Sequence, residues 1–277
     1  MDTPLNQVFF PASYNDLFAT WNRYPEGVLY AGGTDLISKQ DKNIISLPTT
    51  VICLDKIVEL RRITRTEHFL EVGSMVRLNQ LFRPGKIVPG IICKCIEKIA
   101  GVQLRNIATI GGNICTTTHL NDLPVVLSAL DAQYELRKAN NAVRWVSASR
   151  FHTGNTKILE KYEILTRIRL PLIQWDYSIY KKFASEDNYR DEILVFLAKA
   201  QKSVLTDLRV VYKSDTILRN RNSEDELLGK NLPLSRKVVS EFVLHWKEFL
   251  KKRPEVSEFS KNALLNNIEE NVFILSE

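Results

Sequence analysis

Arg105-Asn106-Ile107-Ala108-Thr109-Ile110-Gly111-Gly112-Asn113-Ile114 carries an apolar stretch into paired glycines and then a side-chain amide. Earlier in the chain, Val28-Leu29-Tyr30-Ala31 leads in the same way into Gly32-Gly33-Thr34-Asp35-Leu36. Each segment reads as a strand running into a turn. Glycine permits a positive φ and lets another molecule approach the main chain. Exposed amides and hydroxyls in such a turn suit a phosphate. Two turns of like build, far apart in sequence, point to a pair of jaws on one phosphorylated ligand. The first turn alone is equally well an ordinary connection between elements. G-G-T is not G-x-G-x-x-G, and no P-loop lysine follows at the required spacing, so neither a Rossmann nor a Walker reading holds. Beyond the second turn lie the polar tract Thr116-Thr117-Thr118-His119 and then Asp122, before Leu123-Pro124. Asp122 suits a polar anchor for ribose hydroxyls, or simply the start of a helix, whose first turn accepts Pro124.

Working outward, residues 13–24 open with Ser13 as an N-cap and continue with helical spacing. Gly27 to Ala31 and Thr50 to Asp55 read as strands, making a small βαβ-like unit. Leu60–Arg65 and His68–Gly73 read as a hairpin. Helices are expected from Asn79 and over Ile91–Ala100. A further helix is expected from Asn121 through Asp131. Gln133–Arg137, Ala142–Val146 and Ile164–Leu170 read as strands, the last closed by Pro171. From about residue 175 the character changes. Tyr177–Ala184, Leu194–Ser203 and Leu208–Tyr212 are strand-like, followed by helices over 223–228, 235–252 and 256–267. A sheet covered by helices makes a separate C-terminal domain.

The 277 residues are 44% hydrophobic and 25% charged, in the range of an ordinary globular protein. No apolar run is long enough to span a membrane. The N-terminal residues lack the pattern of a signal peptide, so a cytoplasmic protein is expected. The net charge of +6 comes from scattered basic residues with acids between them. Only Lys251-Lys252-Arg253 is tightly clustered, and a basic helix end complements the helix dipole. Nucleic acid is therefore not an expected partner. The four cysteines, Cys53, Cys93, Cys95 and Cys115, show no metal-ligand spacing. His68, His152 and His245 are equally scattered, and His119 reads as a surface or capping histidine. No metal site and no catalytic nucleophile are expected in this chain.

Several strings, in order, carry a resemblance. They are Leu29 to Leu36, Glu71-Val72-Gly73-Ser74, Arg105 to Ile114, Asp122-Leu123-Pro124, Arg150 to Gly154, Glu163 to Ile168 and Tyr180-Lys181-Lys182-Phe183. Together they resemble the FAD-binding medium subunit of the molybdenum hydroxylases, of the xanthine dehydrogenase and carbon monoxide dehydrogenase type. The resemblance implies an α+β protein. A two-part α/β FAD-binding domain (PCMH-like) would occupy residues 1–172, divided near residue 56. Residues 173–277 would form a C-terminal domain with a three-stranded antiparallel sheet and helices. It further implies that Ala31, Gly32, Gly33, Thr34 and Asp35, with Gly111, Gly112 and Asn113, hold the FAD pyrophosphate, that Thr109 is a backbone or hydroxyl partner, and that Leu29, Tyr30 and Leu36 also belong to the cofactor-binding set. Asp122 would be a polar anchor and Ile99 an apolar neighbour. Ile164 or Leu165 would touch the flavin or ribityl part, and Lys182 and Phe183 would lie near the isoalloxazine.

The partners the resemblance implies are a molybdopterin-binding large subunit and a small subunit with two [2Fe–2S] clusters. Electrons would pass from those clusters through this FAD to NAD or another acceptor. Lys182 could then favour negative charge on the reduced flavin, unless it is a solvated lysine beside Lys181. The sequence departs from the family pattern at Thr116 to His119, at Ser185-Glu186 where an arginine is common, and at Lys213-Ser214. Arg190 is the nearest basic residue to the second of these. Those departures leave an alternative open: a redox-inactive FAD-binding scaffold subunit.

Overall fold

Three-residue strands edge each of the three sheets in the computed structural model, which describes residues 7–40, 48–116, 120–140, 142–152, 159–184 and 191–275. Thr117 to His119, Thr153, Gly154, Ser185, Glu186 and Arg190 lie outside the described residues. The chain forms two compact units. Met1–Pro124, Leu130–Phe151 and Asn155–Leu172 make the first, and Val125–Ala129, His152–Gly154 and Ile173–Glu277 the second.

The first unit opens with β1 (Gln7–Phe9), α1 (Tyr14–Arg23), β2 (Val28–Tyr30), α2 (Thr34–Ser38) and β3 (Thr50–Cys53). The strands form a parallel sheet in the order β1-β3-β2. Ser13 caps α1 by accepting from the Asp16 amide. That cap and the apolar face ending in Leu17 and Phe18 explain why the helix forms here. β1 was not expected, because three residues are too few to show a period.

Then follow β4 (Ile63–Arg65), β5 (Phe69–Gly73), α3 (Gly90–Glu97), α4 (Val102–Arg105), α5 (Ile110–Cys115) and α6 (Leu123–Ala129), whose residues from Val125 on belong to the second unit. β6 (Gln133–Lys138), β7 (Val143–Ser147), α7 (Ala148–Phe151) and β8 (Glu163–Pro171) complete the run. The second sheet is antiparallel, in the order β4-β5-β8-β6-β7. A core of Leu17, Phe18, Ile52, Leu54, Ile57, Leu60, Met75 and Ile164 joins the two sheets of this unit. Burying each such side chain contributes about 1.5–3 kcal/mol.

The second unit contains β9 (Tyr177–Ala184), β10 (Asp191–Gln201), β11 (Val204–Lys213), β12 (Ile217–Arg219), α8 (Arg221–Leu227), α9 (Arg236–Lys251) and α10 (Glu258–Ile274). Its antiparallel sheet runs β12-β11-β10-β9. The sheet thus has four strands where three were expected. The extra strand is three residues long and follows a tight turn at 214–216, which masked it. One sheet face packs on α9 and α10 through Phe196, Tyr212, Phe242, Trp246, Leu264 and Ile268. The last helix also outruns its expected end, since Leu264, Ile268 and Val272 continue its buried stripe. Among the described residues, no helix is long and apolar enough to cross a membrane.

Candidate functional site

The two glycine turns, about eighty residues apart in sequence, meet in the first unit. A Cβ placed on Gly32 would lie 2.3 Å from the Ile107 carbonyl oxygen and 3.0 Å from the Ala108 Cα. Only glycine leaves room for that approach. The absent side chain is therefore used by the protein's own backbone, which sets the first turn against the entrance to the second. Gly33 follows with φ of +71° and opens α2, and the Tyr30 phenol occupies the space its Cβ would need.

The first turn leaves its amides open. The leading amides of a helix have no partner within it. Those of Thr34, Asp35 and Leu36 donate to no acceptor among the described residues. Asp35 Oδ2 accepts from Lys39 Nζ, while Asp35 Oδ1 is buried without a hydrogen-bond partner.

The second turn is different in kind. The expected strand into Gly111 is a single bridge, Thr109 opposite Arg77, and the glycines sit in the first turn of α5. The physical reason is the Thr109 hydroxyl, which accepts from the Gly112 amide at 3.1 Å and caps the helix. The remaining leading amides are also taken. Ile110 N donates to Val76 O at 2.9 Å, Gly111 N to Ser74 O at 2.8 Å and Asn113 N to Thr109 O at 3.0 Å. The expectation of exposed amides in this turn is thus corrected. It offers side chains and a close approach instead. Gly111 presses on Ser74, whose Cβ and carbonyl oxygen both lie 2.7 Å from where a Cβ would stand. Ser74 Oγ and Asn113 Oδ1 are buried without partners.

Neighbouring segments hold this pair in place. Asn121 Nδ2 donates to the Asn113 carbonyl at 2.9 Å, which brings the adjoining, buried Asp122 beside the second turn. The Arg105 guanidinium gathers the carbonyls of Ile96, Glu97, Ile99 and Ala100 within 2.9–3.3 Å. It closes the C-terminal end of α3 and fixes half-buried Ile99 relative to the second turn. Leu29 and Ala31 pack on the core that contains Ile164. Leu165 is buried opposite Leu136 on β6 and lies outside that core.

The other two expected residues belong to the second unit. Lys182 on β9 pairs with Asp191 at 2.7 Å. Phe183 stacks on Tyr212 with ring centroids 6.3 Å apart and packs against the core of that unit. Ser74, Arg105 and Ala108 were missed as parts of the site. Their signal is the would-be Cβ contact and the capping geometry, which only coordinates display.

Burial pushes the thiol of Cys115, at the end of α5, up to about 12, so it is not poised for acid–base work near neutrality. Among the described residues, no group of three His, Cys, Asp or Glu side chains could hold a metal ion.

Open amides in one turn, unpartnered oxygens beside the other and a tight approach between them fit a dinucleotide cofactor. The fold is shared with redox enzymes. A carbon monoxide dehydrogenase structure from Hydrogenophaga pseudoflava superposes with a TM-score of 0.80, covering 98% of this chain and 96% of that one at 22% identity. The likeness shows the fold, and the two turns within it suit a phosphorylated ligand.

Residues 4–173 match the family described as FAD binding domain in molybdopterin dehydrogenase, and the chain belongs to that family. Its cofactor is FAD. Xanthine dehydrogenase 2 of Arabidopsis thaliana is 30% identical over 243 residues, 80% of this chain and 18% of that protein. The glyceraldehyde dehydrogenase medium chain of Sulfolobus acidocaldarius is 27% identical over 209 residues, 73% of each chain. This chain therefore spans under a fifth of the plant enzyme and most of the archaeal medium chain.

Proposed function

We propose that this chain is the electron-transfer subunit of a molybdenum hydroxylase complex, taking electrons from iron–sulfur clusters on a small partner chain and passing them to NAD or another acceptor. FAD, when bound, supplies that redox chemistry, and the protein supplies binding, orientation and field. The observation that carries the reading is the apposition of Gly32 on Ile107. It brings the two turns together within a domain that matches the FAD-binding family.

The residues take distinct parts. Thr34, Asp35 and Leu36 offer amides to a phosphate. Gly112 and Asn113 present the second turn, and Asp122 accepts from hydroxyl groups. Leu29, Ala31 and Ile164 form the apolar wall behind the first turn. A molybdopterin-binding large subunit completes the assembly, a reading supported by relatives named as medium chains or FAD-binding subunits.

The test is spectroscopic. The chain, purified with its companion chains, should carry flavin absorbance that bleaches when a reducing substrate is added without oxygen. Flavin that binds but stays oxidised would favour the scaffold alternative. A protein unable to take up FAD would defeat both readings.

A further inference from the structure

On the reading above, the second turn would meet the diphosphate with the amides of Ile110, Gly111, Gly112 and Asn113 already committed. A diphosphate lying there would keep its charge uncompensated unless another segment contributes a cation. The backbone supplies one from the segment after β5. Ile110 N donates to Val76 O and Leu78 N to Ala108 O, each at 2.9 Å, bracketing the antiparallel bridge between Arg77 and Thr109. Residues opposed in this way project from the same face, with Cβ atoms about 4.5–5.5 Å apart. The direction of that face is set by Thr109, whose hydroxyl accepts from Gly112 N at 3.1 Å. Arg77 therefore leaves the backbone on the side that carries the glycine turn.

Arg77 and Gly112 are both exposed. Among the described residues, no carboxylate pairs with Arg77, whereas Arg144, Arg167, Arg169, Arg209 and Arg219 each hold one. Ser74, only 4% exposed, sits against Gly111 with its hydroxyl unpartnered, and so does the Asn113 side-chain oxygen two residues on. An uncommitted cation thus emerges beside a turn whose nearby polar atoms lack protein partners.

We propose that Arg77 is a further FAD-binding residue, its guanidinium pairing with the diphosphate beside Gly112 and Asn113. The inference rests on the reading that the diphosphate lies at these turns. A guanidinium presents paired donors that match phosphate oxygens, which a single ammonium does not.

The test uses the full chain, stripped of flavin and titrated with FAD at low and high salt, for the natural protein, Arg77→Gln and Arg77→Lys. Arg77→Gln should weaken FAD about tenfold at low salt and flatten the salt dependence. Arg77→Lys should recover part of the loss. The melting temperature of the flavin-free protein should be the same in all three, because no carboxylate among the described residues pairs with this side chain. If Arg77→Gln binds FAD as tightly as the natural protein, Arg77 is only a solvated arginine, and the site reading survives. Equal loss in both variants with a lowered flavin-free melting temperature assigns Arg77 to the fold and overturns the proposal. Failure of the natural protein to take up FAD defeats the site reading, and the proposal with it.

Discussion

Four glycines that look alike in sequence do three different jobs. Gly32 and Gly111 are consumed by packing, since a Cβ would meet the Ile107 carbonyl or Ser74. Gly33 is required by its φ of +71°. Gly112 faces outward, and its nearest would-be contact is the Thr109 hydroxyl at 3.0 Å. This ordering separates folding from binding. Gly32→Ala should destabilise the protein by about 1–3 kcal/mol, the usual cost of forcing extra volume into a packed contact. Gly112→Ala should change stability by no more than about 1 kcal/mol, because a helical alanine offsets the tight contact, yet lower FAD affinity. Urea melts of the flavin-free variants, set beside FAD titrations, check both. If Gly112→Ala unfolds the chain and Gly32→Ala does not, the assignment of roles is reversed.

At the scale of elements, α5 depends on its cap more than on its residues. Two of its six positions are glycine, which disfavours a helix. Removing the hydroxyl with Thr109→Ala should cost about 1 kcal/mol and free the Gly112 amide, with the loss read from the denaturation midpoint.

The antiparallel sheet of the same unit carries a different device. Glu71 on β5 accepts from Arg167 at 2.5 Å and Arg169 at 2.7 Å on β8, with Arg169 lying over the Trp145 ring at 4.0 Å. Burial pulls the Glu71 carboxyl upward, but the hydrogen bonds and charges of both arginines outweigh it and leave it below the ordinary range. A carboxyl depressed in the folded state gives stability that is present above its unfolded value, about 4.3. That contribution disappears as pH falls through the lower folded value. Glu71→Gln should therefore be less stable than the natural protein at pH 7, and the difference should shrink toward pH 2. Denaturation midpoints across that range decide it, and a gap that stays constant with pH would refute the assignment.

At the scale of the whole molecule, each unit holds a core of its own. The second is built around Trp246, which is fully buried between the sheet and its helices. Trp246→Ala should cost about 3–5 kcal/mol. Hydrogen exchange should report the loss first in the amides of β10, β11 and α9. Protection lost only in the first unit would contradict a separate core.

Much of this molecule was legible beforehand, for reasons that differ by element. α1 announced itself through Ser13 and its helical spacing, and β8 through the alternation of Ile164 to Leu170 before Pro171. Those signals are local, so a linear reading captures them. The ordered strings from Leu29 to Phe183 were enough to indicate FAD and the family. β1 and β12 escaped because three residues paired by distant partners carry no pattern of their own. The state of the second turn escaped for a related reason. Whether an amide is open or taken depends on where Ser74, Val76 and the Thr109 hydroxyl stand, and these meet only when the chain folds back on itself. The sequence alone determined which residues could make a phosphate turn. Tertiary structure decided which of them were still free to do so, because a hydrogen-bond donor can be spent on the protein itself and only the folded arrangement of acceptors decides where it goes.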